Sequence, residues 1–96
     1  MINQEVIKAF GDRIKCLRKN KGISQEELSF QTGFHRTYIG MIERGERNIS
    51  LSNIAVFAKA FKMNISELLD IEKQTPSIGF SNYKLKSDIT KSSRNE

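Results

Sequence analysis

A chain of 96 residues with a formal net charge of +5 holds one domain and one modest core, and the basic excess favours a polyanionic partner, either nucleic acid or an anionic membrane surface. One cysteine, Cys16, and one histidine, His35, exclude an internal disulfide, a cysteine-rich metal site, most zinc chemistry and any Ser-His-Asp scheme needing a second imidazole. No apolar run is long enough to span a bilayer, and Met1–Phe10 interleaves Asn3, Gln4, Glu5 and Lys8 with its apolar residues, unlike a signal peptide. The expectation is a cytoplasmic protein with no membrane partner, cofactor or metal.

Apolar residues recur at helical spacing nearly throughout residues 4–71, with no useful period-two alternation, so the fold reads as all-α with five helices. The first helix, residues 4–20, carries the stripe Val6, Phe10, Ile14 and Leu17. Cys16 falls within it as a partly buried thiol, and Lys15, Lys19 and Lys21 form a solvated face. Gly22 ends it. The second, residues 25–32, opens on Ser24 with Glu27 three residues on, a capping box, flanked by Ile23 and Leu28 at the positions of a hydrophobic staple. Phe30 fits neither the core spacing nor an obvious surface role, and reads as core filler or exposed aromatic. After Gly33, the third helix spans residues 36–44, with Phe34 and Ile39 as its staple around His35. Beyond Gly45, the fourth spans 51–61, with Ile49 and Ile54 around Ser50 and a stripe of Ile54, Phe57, Ala58 and Phe61. The fifth, 65–72, starts at Asn64 with a second box to Glu67 and the staple Met63/Leu68. The three glycines suit a left-handed residue after a helix.

The character changes beyond Lys73. Residues 74–96 are rich in Ser, Lys and Asn and contain the sole proline, Pro76. They read as a polar tail following a domain at 1–73. Ile78, Phe80, Tyr83 and Leu85 could pack it onto the body or a partner, while Lys84, Lys86, Lys91 and Arg94 could touch phosphates or serve solubility. The positive excess is shared between the two parts, twelve Lys/Arg against nine Asp/Glu up to Lys73 and four against two after it.

The second and third helices are too short to stand alone in water and must pack. With Gly33 reversing the chain, Leu28, Phe34, Ile39 and Ile42 converge inside the angle, and the outer face of the third helix is free to enter a major groove. That face carries Arg36, Thr37 and Tyr38, then Gly40 and Met41 one turn on. An arginine at the leading end can bond guanine bidentately, and Thr37 can bond a base edge or press its methyl on thymine. Tyr38 can bond a phosphate, and Gly40 leaves room for close approach. Gln25 at a helix N-terminus, His35, Arg44, Arg47 and Asn48 suit the sugar-phosphate backbone. The bland reading is a plain helical hairpin with Arg36 as a solvated charge. Glu43 reads as structural, meeting Arg18 in a partly buried ion pair. The sequence offers no cluster of groups that would make a catalytic site, so an enzyme is not expected.

These residues resemble a known family. Phe10–Lys21 with its Arg18, Ile23-Ser24-Gln25-Glu26-Glu27-Leu28, Gly33, Ile42-Glu43-Arg44-Gly45, Ile54, Ala58, Phe61 and Ile65-Ser66-Glu67-Leu68-Leu69 are similar to the lambda-repressor-like, Cro/XRE-type helix-turn-helix domain. His35-Arg36-Thr37-Tyr38-Ile39 and Glu43-Arg44-Gly45-Glu46-Arg47-Asn48-Ile49-Ser50 look like the controller proteins of restriction–modification systems. The resemblance implies a small homodimer that binds operators upstream of its own gene and the endonuclease gene, activating and then repressing transcription. It also implies base contacts from Arg36 and Thr37, shape or methyl contacts from Tyr38, and backbone contacts from Gln25, Arg44, Arg47 and Asn48. Gly40 departs from the serine usual there. Activation would involve RNA polymerase, for which Glu46 is a candidate contact, although a solvated charge is the simpler reading. A phage-type repressor or an antitoxin of the same fold is the alternative. Because one such module buries little DNA surface, a two-fold dimer is expected, with Leu68, Leu69 and Ile71 forming a self-complementary patch and one of the leucine pair closing the core.

Overall fold

The computed structural model describes residues 3–71. The expected tail at 74–96 and its apolar and basic residues lie outside this range. Five helices follow in chain order, α1 (Gln4–Asn20), α2 (Gln25–Thr32), α3 (Arg36–Glu43), α4 (Leu51–Ala60) and α5 (Ile65–Leu68). Among the described residues there is no strand, and no helix is long and apolar enough to cross a membrane.

Each helix start is fixed by a side chain that accepts from an otherwise unpaired backbone N–H. Ser24 Oγ accepts from Glu27 N at 3.0 Å while Ser24 N donates to Glu27 Oε1 at 2.8 Å. Asn64 and Glu67 repeat the reciprocal pair at 2.8 and 2.9 Å. Asn3, His35 and Ser50 cap α1, α3 and α4. The residues flanking α2 to α5 as staples, Ile23/Leu28, Phe34/Ile39, Ile49/Ile54 and Met63/Leu68, all lie in the core or against it. Local capping and tertiary burial thus agree at four successive junctions.

Chain reversal after α2 uses Gly33 at φ +83, the left-handed region where a Cβ is costly. After α4, where no glycine is available, Lys62 takes φ +58 itself. Neighbouring Lys21 is exposed with Lys15 and Lys19, as expected of a solvated face, and also donates to the Ala60 carbonyl at 3.0 Å and lies 5.9 Å over the Phe61 ring.

The core is Phe10, Ile14, Leu28, Ile39, Ile42, Phe57, Ala58 and Leu68, drawn from all five helices. Phe57 sits at its centre, edge-on to Phe10 at 6.4 Å and tilted against Phe34 at 5.2 Å. Each such aromatic or aliphatic burial is worth about 1.5–3 kcal/mol, so the short helices α2 and α3 hold by packing rather than by propensity. Phe30 lies outside this cluster, 76% exposed.

Two details set how α3 is presented. α1 crosses α3 at Gly11, where an added Cβ would collide with the Ile42 carbonyl oxygen and press at 3.0 Å on that of Glu43. Arg13, also buried on α1, donates to the Leu68 carbonyl at 3.0 Å and to that of Glu67 at 2.6 Å. It satisfies the C-terminal carbonyls of α5, which ends at Leu68 instead of running to residue 72. A buried guanidinium thus replaces the helical bonds that further turns would supply.

Candidate nucleic-acid interface

The outward face of α3 follows from which of its side chains the core consumes. Ile39 and Ile42 are buried, and Glu43 with them. Arg36 and Thr37, on the opposite side of the first turn, are exposed. Arg36 has Glu26 as its nearest carboxylate, at 4.0 Å between two largely exposed side chains, a separation at which water screens most of the attraction. Its donors are available to a ligand. The Thr37 hydroxyl forms no hydrogen bond among the described residues.

Glu43 anchors this face from beneath. Arg18 Nε and Nη2 donate to its carboxylate at 2.7 and 3.1 Å, and Arg18 Nη1 to the Ile23 carbonyl at 2.9 Å. Both side chains are buried. The hydrogen bond that Arg18 donates to Glu43 outweighs desolvation and raises the Arg18 pKa above its ordinary value. The same carboxylate accepts from Gln25 Nε2 at 3.0 Å, so one buried acid orients residues of α1, α2 and α3 together. Gln25 is therefore held at the start of α2, where its own N–H and that of Glu26 have no partner among the described residues. Those groups favour an anion, while the Glu26 and Glu27 carboxylates in the same turn oppose one.

Several side chains expected on the DNA face sit differently. The Tyr38 ring packs edge-on against Phe34 at 5.0 Å, and its oxygen accepts from Asn53 Nδ2 at 3.0 Å. Tyr38 is partly buried, and its hydroxyl keeps its own proton for another acceptor. Aromatic rings bury more area than polar groups gain in solution, and Phe34 offers that burial one turn away. Arg47 lies over this ring with its guanidinium 5.2 Å from the centroid, and its Nη1 is 3.9 Å from the Met41 sulfur. Tyr38, Met41, Arg47 and Asn53 thus form one cluster at the far end of the face. Gly40, expected to open the helix surface, is buried under Gln25 and Arg44. His35 accepts from Thr37 N through Nδ1 at 3.0 Å, which places its ring hydrogen on Nε2 as an outward donor. Arg44 pairs with Glu46 through two bonds of 2.9 and 3.1 Å, so Glu46 is an arginine partner and not a lone surface charge. Asn48 borders an apolar groove of about 240 Å³ between Val6, Phe10, Ile54, Leu69 and Ile71.

The three residues expected at a partner interface divide. Leu68 is fully buried in the core, and Ile71 is nearly so. Leu68 retains no surface for a partner, and Ile71 offers only the little that lines the apolar groove. Leu69, the residue that follows α5, is 40% exposed, and Ile65 at the start of α5 is 36% exposed. Three contributors escaped the sequence reading: Gly11, Arg13 and Asn53. Arg13 alone carried a signal, an arginine next to Ile14 on the buried side of α1. Among the described residues no group of three His, Cys, Asp or Glu is placed to hold a metal.

Comparison with known proteins adds to this geometry. A sequence profile described as helix-turn-helix matches residues 14–68. Control protein C.BamHI of Bacillus amyloliquefaciens is 47% identical over 62 residues, covering 64% of this chain and 76% of that protein. Control protein C.MunI of a Mycoplasma species is 43% identical over 67 residues, 68% of this chain and 90% of its own. The solved restriction–modification controller protein C.AhdI of Aeromonas hydrophila superposes with a TM-score of 0.64 at 45% identity, over 68% of this chain and 94% of that one.

Proposed function

This chain belongs to the helix-turn-helix family, and on that premise we propose that it is a sequence-specific DNA-binding regulator of transcription, the controller protein of a restriction–modification system, acting as a homodimer. Its likeness to three proteins described as control or controller proteins supports the biological role. The observation that carries the DNA-reading part is the split of α3, whose first turn exposes Arg36 and Thr37 while Ile39 and Ile42 fix the helix from behind.

On this reading α3 enters the major groove with its N-terminal end foremost. Arg36 meets guanine O6 and N7, and Thr37 a base edge or a thymine methyl. Met41 adds an apolar contact, and Tyr38 donates its phenolic proton. Gln25, His35, Arg47 and Asn48 meet phosphates, fixing register without carrying sequence information. Two copies associate through Ile65 of α5 and Leu69 just beyond it, doubling the DNA contact area. The protein is a domain at 1–73 with a tail at 74–96, it acts by binding rather than by catalysis, and an activating role makes RNA polymerase a partner.

Fluorescence anisotropy on duplex DNA from upstream of its own coding sequence tests the reading. Binding should exceed that to a random duplex by about a thousandfold or more at physiological salt and weaken steeply as salt rises. Arg36→Ala should cost about 1–3 kcal/mol and relax preference at one base pair, whereas Arg47→Ala weakens all duplexes alike. Equal affinity for upstream and random DNA would refute the proposal.

A further inference from the structure

The middle of the outward face of α3 is occupied by an arginine that the sequence reading assigned to phosphates. Residues 36, 40 and 44 recur every four positions and share a helix face. A Cβ at residue 40 would lie 3.1 Å from Arg44 Nη1 and 3.5 Å from Gln25 Oε1. Arg44 is therefore folded back along α3, against the space that residue 40 leaves by lacking a side chain.

The guanidinium is also braced. Its Nε and Nη2 donate to the two oxygens of Glu46 at 2.9 and 3.1 Å, which spends one edge of the fork. Along the Nη1–Nη2 edge no other hydrogen bond is made among the described residues, and that edge matches guanine O6 and N7. Both partners are more than half exposed, so a duplex can reach them. A contact meant only for phosphate gains nothing from this arrangement, because the adjacent carboxylate repels the anion. Fixing the fork's direction is useful where geometry carries information, as at a base edge.

We propose that Arg44, seated over Gly40 and braced by Glu46, is a second sequence-reading side chain that recognises a guanine. The Arg44 guanidinium lies over residue 40, one helical turn or about 6 Å along the axis from residue 36, so the two arginines face the groove at different points. The assignment rests on α3 being the recognition helix.

The test uses the full chain and a duplex selected by the wild type from a pool randomised over roughly two helical turns. Affinity for that duplex and for each of its single-base-pair variants is measured for wild type, Arg44→Ala, Arg44→Lys, Gly40→Ser and Glu46→Gln. Arg44→Ala and Arg44→Lys should lower affinity for the selected duplex roughly ten- to a hundredfold and abolish preference at one guanine only. Gly40→Ser, which displaces a flexible side chain and not backbone, and Glu46→Gln should flatten preference at that same position. Binding of Glu46→Gln to random duplex should hold or rise, since a negative charge is removed. Equal weakening of every duplex by Arg44→Ala, or intact discrimination in Glu46→Gln, overturns the role of Arg44 while leaving α3 as the reading helix. A wild-type chain that selects no sequence overturns both.

Discussion

Gly11→Ala separates what the sequence implies from what the structure requires. Alanine at an interior helical position is favoured over glycine by about 1 kcal/mol, so the sequence alone predicts stabilisation. In the structure the new methyl would meet the main-chain oxygens of Ile42 and Glu43, and backbone cannot swing aside. Restoring ordinary contact moves α1 away from α3 by on the order of 1 Å. Overpacking of this kind costs about 1–3 kcal/mol. The same shift stretches the buried bond of 2.7 Å from Arg18 to Glu43, and weakening a charged hydrogen bond adds up to about 1.5–3 kcal/mol. Set against the helical gain, the net loss is about 1.5–5 kcal/mol, or a fall in Tm of roughly 6–40 °C for a domain of this size. Urea unfolding followed by circular dichroism measures it. A neutral or stabilised alanine variant would show that the two helices do not cross as closely as described.

Further outcomes follow from the same contacts. Arg18→Met leaves the buried Glu43 carboxylate with Gln25 as its remaining side-chain donor, and should cost about 3–5 kcal/mol in urea unfolding. Adding Glu43→Leu should recover much of that loss, and additive effects would contradict the ion pair. Leu69→Asp should shift sedimentation to the monomer, and an unchanged dimer would remove α5 from the interface. The Arg44 guanidinium, by hydrogen bonding and then by charge, holds the Glu46 carboxyl below the usual carboxylate range. The pair therefore persists as pH falls through the ordinary value and is lost only below the depressed one. NMR titration should show this low midpoint, and Arg44→Ala should return it to normal. An ordinary midpoint in the wild type would deny the contact.

Features governed by residues three or four apart were legible in the sequence. Ser24 with Glu27 and Asn64 with Glu67 are capping boxes because their partners are set by local geometry, and the staples around them place the helix starts. The Arg18–Glu43 pair was legible from the helix faces once the starts were fixed. What depends on the distance between helices was not. Gly11 is an ordinary helical glycine until α3 is laid across it, and Asn53 carries no mark of its bond to Tyr38. Leu68 and Leu69 are adjacent apolar residues at the end of a four-residue helix, too short for periodicity to say which points inward; the Arg13 contacts to the end of α5 decide it. Tyr38 lies at the edge between the core and reading faces, and Phe34 draws its ring inward. On the candidate reading face, Arg36 and Thr37 were legible because nothing in the core competes for them. The seat of Arg44 was not, since it combines a missing side chain, a turn beyond α3 and a carboxylate two residues on.

Guanine methylation interference on the upstream duplex tests the account most directly, because an N7 methyl lies in the major groove that α3 is proposed to enter. Methylated guanines at two symmetry-related positions, about one helical turn apart, should be excluded from the bound fraction. Arg36→Ala should lose that sensitivity at the guanine this residue meets. Binding indifferent to N7 methylation, or interference unchanged in Arg36→Ala, would contradict the claim that the leading edge of α3 reads the groove.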